Sequence, residues 1–237
     1  ELVIVHGNVH ASTLYKESLT ETMCDVIVKG EGEVTFGEIC QEKPFEEILG
    51  IIYRADNGRR QKISAEEIVN RRLKGEPCYD IAKDAIFSEE PEIRSTDSRP
   101  YIGSSKNKCL DDLPFPDMDL YNIYRYKNPD IIAHGYPMQQ VETSRGCPFT
   151  CNFCSSEDTY RAMSPDYVIE LYKYLIKHGV KEFRIIDDQF LIDIERGKII
   201  AQKMLENNIV IPWNMANGVR ADRVDREFLE LAARSGC

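Results

Sequence analysis

Residues 1–6 (ELVIVH) form a β-branched-rich apolar run closed by Gly7-Asn8, the pattern of a buried parallel strand ending in a turn. A polar, helix-compatible stretch follows over 13–21. Asp25-Val-Ile-Val-Lys29 then predicts a second strand, ending at Gly30-Glu31-Gly32-Glu33. A second helix is expected over 35–41, with Glu33 or Thr35 near its cap. This strand–helix alternation implies a parallel, Rossmann-like sheet.

The rhythm breaks after residue 48. Gly50-Ile-Ile-Tyr-Arg54, the turn pair Asn57-Gly58 and Arg60-Gln-Lys-Ile-Ser64 predict a hairpin. From about 66 to 109 the chain is charged and weakly patterned, and reads as irregular connector with a short helix over 82–87. Leu113-Pro-Phe-Pro116 is expected to be stiff and extended, because proline fixes φ and restricts its predecessor.

The last hundred residues are clearer. Val141-Glu-Thr-Ser144 predicts a strand. Ser164-Pro165 is a helix cap followed by proline at the first helical position, and Val168, Ile169, Leu171, Tyr172, Leu175 and Ile176 supply a helical stripe closing near Gly179. A strand over 182–186, a helix over 194–207, a strand over 209–216 and a helix over 224–234 complete three βα units. Three parallel strands cannot close a barrel. With a start at Glu1 and a stop at Cys237 directly after a helix, a piece of a longer protein is expected.

Composition narrows the function classes. The 237 residues are 42% hydrophobic and 30% charged, enough to bury one or two cores. No apolar run approaches the roughly 20 residues of a membrane span. The leading ELVIVHG is too short, and lacks the basic start, for a secretory signal. The net charge of −10 disfavours nucleic acid as a partner, since phosphate binding calls for a basic face. A cytosolic location is expected.

Of eight cysteines, Cys147, Cys151 and Cys154 crowd into Cys-Pro-Phe-Thr-Cys-Asn-Phe-Cys, which points to metal rather than disulfides. Three thiolates on one tight loop can hold an iron–sulfur cluster, and a 4Fe–4S cluster so held keeps one iron without a protein ligand. The competing reading is structural zinc. Such sites are closed by four ligands, and no second cysteine pair accompanies these three.

CPFTCNFC matches CxxxCxΦC, and with Ser144-Arg145-Gly146 before it the segment resembles the radical S-adenosylmethionine (AdoMet) superfamily. The resemblance implies a 4Fe–4S cluster on the three cysteines. It implies AdoMet chelating the open iron and cleaved to a 5′-deoxyadenosyl radical by an electron from a reducing donor. Phe153 then lies near the adenine, a core phenylalanine being the other reading. In Arg184-Ile-Ile-Asp-Asp-Gln-Phe190, Asp187 or Asp188 would bind the AdoMet ammonium, unless one serves only as a helix cap. Arg220 would meet the AdoMet carboxylate, or else form a surface salt bridge, and Asn217 is a further candidate.

Gly7-Asn8-Val9-His10, Asp25–Glu33 and Leu113–Pro116 succeed one another as in the cobalamin-dependent (B12-binding-domain) group of that superfamily. The implied fold is α/β, in three parts. Residues 1–65 would be the end of a flavodoxin-like cobalamin-type domain, 66–135 a connector and 136–237 the first part of a βα barrel. Gly7, Gly30 and Gly32 become cofactor-loop candidates, with plain turn geometry as the alternative. Relatives carry two glycines where this chain has Gly7-Asn8, and the first βα units of the cobalamin domain are absent. The implied reaction is methyl transfer or a related radical transformation of a small-molecule or peptide substrate. A radical enzyme without cobalamin and a zinc-stabilised interaction module are the alternatives.

Overall fold

Short strands build two main sheets and a two-stranded ribbon in a computed structural model of the chain, which describes residues 3–22, 24–55, 65–76, 92–103, 109–120, 122–126, 133–154 and 156–237. The chain divides into two compact units, Glu1–Tyr101 and Ile102–Cys237.

In the first unit the strands are β1 (Val5–His6), β2 (Val26–Val28), β3 (Ile51–Arg54) and β4 (Ile93–Ser95), hydrogen-bonded in that order. β1 and β2 run parallel, as the alternation predicts, but β2–β3 and β3–β4 are antiparallel, so the sheet is mixed rather than Rossmann-like throughout. The register Val26↔Tyr53, Ile27↔Ile52, Val28↔Ile51 sorts the side chains by the two-residue period of a strand. Ile27 and Ile52 pack with Ala11 and Leu19 from α1 (Asn8–Thr13) and α2 (Tyr15–Glu21). Val26, Val28, Ile51 and Tyr53 face the other way, onto Ile48 and onto Ile39 of α3 (Glu33–Cys40). Helices thus cover both faces.

One expectation is corrected here. The connector expected from residue 66 contributes a helix, α4 (Ala65–Leu73), and β4, which belongs to the first sheet. Its strand was invisible because Ile-Arg-Ser is three residues long and largely exposed, so no alternation marks it. β3 finds its antiparallel partners in β2 and β4; the Asn57-Gly58 turn, the arm 60–64 and the helix expected over 82–87 lie outside the described residues.

The second unit contains three βα units. Strands β5 (Met138–Val141), β8 (Glu182–Ile185) and β9 (Trp213–Met215) form a parallel sheet in the order β5-β8-β9. Helices α5 (Pro165–Lys177), α6 (Ile194–Glu206) and α7 (Arg226–Ser235) alternate with them. Each helix starts with the same device: Ser164, Asp193 and Asp225 accept from the amides of Tyr167, Arg196 and Phe228, at 3.2, 3.0 and 2.8 Å. Such caps satisfy an otherwise orphaned amide. Val168, Leu171, Tyr172 and Leu175 of α5, Phe183 and Ile185 of β8, Ile200 and Met204 of α6, and Phe228 of α7 share one core. There the Tyr172 and Phe183 rings stack at 4.2 Å.

The rest of the expected connector joins this core. Leu110, Leu113, Met118 and Ile123 are buried in it. Phe115 of the proline-stiffened segment packs edge-on against Tyr167, with ring centres 5.0 Å apart.

Candidate functional site

The loop that carries the three cysteines is closed at its base by a two-stranded ribbon, β6 (Ser144–Arg145) with β7 (Arg161–Ala162), registered Ser144↔Ala162 and Arg145↔Arg161. Gly146 opens the loop at φ +77°, and a Cβ there would collide with the Thr159 carbonyl oxygen. Only glycine fits that left-handed, crowded neck. The Cys147 amide donates to Glu157 O at 2.6 Å and the Cys154 amide to Cys151 O at 3.0 Å. Arg161 is 0% exposed; its guanidinium reaches Ile102 O at 2.7 Å and the Glu157 carboxylate at 2.6 Å.

A second, buried network holds the same neck from below. Asp187, 3% exposed just past β8, accepts from the Thr143 amide, the Thr143 hydroxyl and the Ser144 hydroxyl, each at 2.6 Å. Arg196 of α6 donates to Thr143 O at 2.8 Å and to Met163 O at 2.9 Å, so one guanidinium ties the entry and exit legs of the loop together. Burial pushes the Asp187 carboxyl above its ordinary range, while the Ser144 and Thr143 hydrogen bonds and then the Arg196 charge pull it back. Asp187 is therefore committed to the fold. Of the two aspartates singled out in the sequence, Asp188 is the exposed one, and it touches the loop through the Gly146 amide at 3.1 Å.

The remaining candidates lie past β9. Asn217 donates to Ile186 O at 2.8 Å and Asp187 O at 3.1 Å, stitching the end of this strand to the end of β8. Arg220 makes a bidentate pair with Asp222 at 3.0 and 2.9 Å, the salt bridge that sequence reasoning had left open. That pair holds the guanidinium more firmly in its charged form. Arg220 also lies 4.0 Å from the centre of the Phe149 ring, with Arg223 at 5.4 Å. Phe153, by contrast, is 94% exposed, which disposes of the core-phenylalanine reading.

Sequence reasoning missed Phe149, Arg223, Arg161 and Arg196. The Arg220/Arg223 spacing of three, which a single tight turn aligns, was the available signal for the first two. Arg161 has one local signal, the Glu157 carboxylate four residues before it, while nothing local marked Arg196, whose partners are backbone carbonyls from distant segments.

The glycines singled out as cofactor-loop candidates, Gly7, Gly30 and Gly32, follow the C-terminal ends of β1 and β2. Gly30 has φ +68° and needs to be glycine, whereas a Cβ at Gly7 would meet nothing within 4 Å and one at Gly32 would make ordinary contact with Val28. Asn8, at the position where the resemblance expects a second glycine, adopts φ +77°, a conformation asparagine tolerates better than most residues.

Cys147 is half-buried while Cys151 and Cys154 are exposed, and Ser156 N lies 3.4 Å from Cys154 Sγ. Among the described residues no three His, Cys, Asp or Glu side chains are gathered closely enough to hold a metal ion. The donor chemistry nevertheless fits an iron–sulfur cluster: three soft thiols on one loop with a pinned neck and a backbone amide directed at one sulfur. No helix among the described residues is long and apolar enough to cross a membrane.

Comparison with known proteins agrees with this geometry. The chain is 27% identical, over 99% of its length, to an uncharacterised methyltransferase of Pyrococcus horikoshii. It is 28% identical, over its whole length, to the cytidylyl-2-hydroxyethylphosphonate methyltransferase of Streptomyces wedmorensis. Over 98% of its length it is 27% identical to an anaerobic magnesium-protoporphyrin IX monomethyl ester cyclase of Cereibacter sphaeroides. It spans 43% of the length of each methyltransferase and 33% of the cyclase. Its fold is similar to that of TsrM, a radical S-adenosylmethionine methyltransferase from Kitasatospora setae, with a TM-score of 0.57 at 16% identity, covering 99% of this chain and 40% of TsrM. Residues 141–237, which hold the cysteine loop and all three parallel strand ends, match the family model of the radical SAM superfamily.

Proposed function

We propose that the chain is part of a radical AdoMet enzyme, with Cys147, Cys151 and Cys154 as the protein ligands of a 4Fe–4S cluster. One observation carries this reading. The three-cysteine loop, Asp188 and Asn217 all emerge from the C-terminal ends of the parallel strands β5, β8 and β9, the end at which βα folds collect their chemistry. When bound, the cluster supplies the electron that cleaves AdoMet reductively.

The residues of the chain bind and orient. Asp188, exposed beside the loop neck, offers a carboxylate to the AdoMet ammonium, and Asn217 keeps the ends of β8 and β9 in register next to it. Phe153 presents a bare ring to the adenine. Asp187, Arg196 and Gly146 keep the loop aimed. The names of the relatives favour methylation or an anaerobic cyclisation; the substrate would be a small molecule or a peptide, and a reducing electron donor would supply the electron. Cobalamin, which the TsrM structure contains, would sit on the loops after β1 and β2, around Gly7, Gly30 and Gly32.

Anaerobic reconstitution with iron and sulfide, followed by electron paramagnetic resonance of the reduced protein with and without AdoMet, tests the reading. A reduced 4Fe–4S signal that changes on adding AdoMet and disappears in Cys151→Ala is expected. Bound zinc without sulfide would overturn it in favour of a structural module. Cobalamin retention by the parent protein, grown with the vitamin, tests the cobalamin part separately.

A further inference from the structure

The loop contains two phenylalanines with opposite fates: Phe153 stands free in solvent, whereas Phe149 is half-buried beneath two cations. We infer that Arg220 and Arg223 are positioning residues that seat Phe149, dock the cysteine loop at the end of β9 and, by their charge, raise the reduction potential of the cluster the loop carries. The inference rests on the cluster reading above and concerns residues that this reading leaves without a role.

The geometry is specific. The 3₁₀ turn Ala221–Arg223 closes through the Arg223 amide on Arg220 O at 3.0 Å, which sets residues 220 and 223 on the same side. Asp222, between them, grips the Arg220 guanidinium through both of its oxygens and so fixes the plane presented to the ring. The guanidinium carbon then lies 4.0 Å from the ring centre, well inside cation–π range, with Arg223 at 5.4 Å as a second, weaker contact. Phe149 falls between Cys147 and Cys151, so seating this ring places one loop segment, with a thiol at either side of it, against two fixed cations.

The sign of the electrostatic effect follows. A cluster bound by three thiolates is anionic, and reduction adds a further negative charge. A neighbouring cation therefore stabilises the reduced form more than the oxidised one. Removing Arg220 also leaves the Asp222 charge unpaired, which acts in the same direction. Arg220 is partly solvent-exposed, so the effect is largest at low ionic strength.

The test is a redox titration, monitored by electron paramagnetic resonance at low salt, of the reconstituted chain and of Arg220→Gln, Arg223→Gln, Arg220→Lys and Phe149→Leu. The expected result is a more negative midpoint in Arg220→Gln at equal iron and sulfide content, with a smaller shift in the same direction in Arg223→Gln and in Phe149→Leu. Arg220→Lys is expected to restore part of it, keeping charge but not the planar stack. Hydrogen exchange of the loop amides between Cys147 and Cys154 in the cluster-free protein reads the seating on its own, and should quicken in both glutamine variants. An unchanged midpoint in a loaded Arg220→Gln, or unchanged exchange in both variants, overturns the inference. Failure of the parent chain to assemble any cluster would instead sink the cluster reading, an outcome visible before any variant is made.

Discussion

Asp187 takes two hydrogen bonds from Thr143, one from its amide and one from its hydroxyl, each 2.6 Å long. They join the end of β8 to the segment that feeds the cysteine loop, with Arg196 closing the arrangement through Thr143 O. Asp187→Ala strands two hydroxyls and an amide and leaves a buried guanidinium without its anion. It should cost roughly 3 kcal/mol, the scale for breaking a buried charged network. Urea denaturation of parent and variant measures the loss. Asp187→Asn, which keeps an acceptor but not the charge, should lose less.

Gly146→Ala probes the neck without touching a ligand. The left-handed backbone alone costs roughly 1–3 kcal/mol for a residue with a side chain, and the methyl would strike the Thr159 carbonyl. Lower stability is expected, together with less iron per chain after reconstitution, read by denaturation and metal analysis.

Phe153→Ala should behave in the opposite way. The ring is 94% exposed and supports nothing in the fold, so the melting temperature should stay within error. On the proposed role of this ring against the adenine, the AdoMet-dependent change in the cluster spectrum should weaken. An unaltered response at subsaturating AdoMet would remove Phe153 from the site.

Acid should loosen α7 through its cap. The Lys198 hydrogen bond first, and the Phe228 amide second, hold the Asp225 carboxyl below its ordinary value. A depressed carboxylate contributes stability that is present above its unfolded pKa of about 3.9 and is lost as pH falls through the lower folded value. The melting temperature of the parent should therefore drop on going from about pH 5 to pH 3. Asp225→Asn, which still caps but carries no charge, should show a shallower drop over the same interval.

Local pattern determined most of the second unit: the caps Ser164, Asp193 and Asp225, the apolar stripe of α5 and the strands β8 and β9 follow from periodicity and capping chemistry acting over a few residues, whereas β5 lies at Met138–Val141, ahead of the strand expected over 141–144. The cysteine motif was legible as a candidate site for the same reason, since a loop motif keeps its residues close in sequence. The roles within Asp187-Asp188 were not. One carboxylate is buried and the other exposed because Thr143, Ser144 and Arg196 converge on the first from elsewhere in the chain. The mixed first sheet, with β4 added some forty residues after β3, and the seat of Phe149 beneath Arg220 and Arg223 likewise arise from long-range pairing. The sequence by itself thus determined which residues are candidates for the chemistry and most of the elements that bear them. Only the tertiary structure decided which side chains are spent on holding the loop and which remain for a ligand, because burial and hydrogen-bond partners are set by contacts between segments that no local period records.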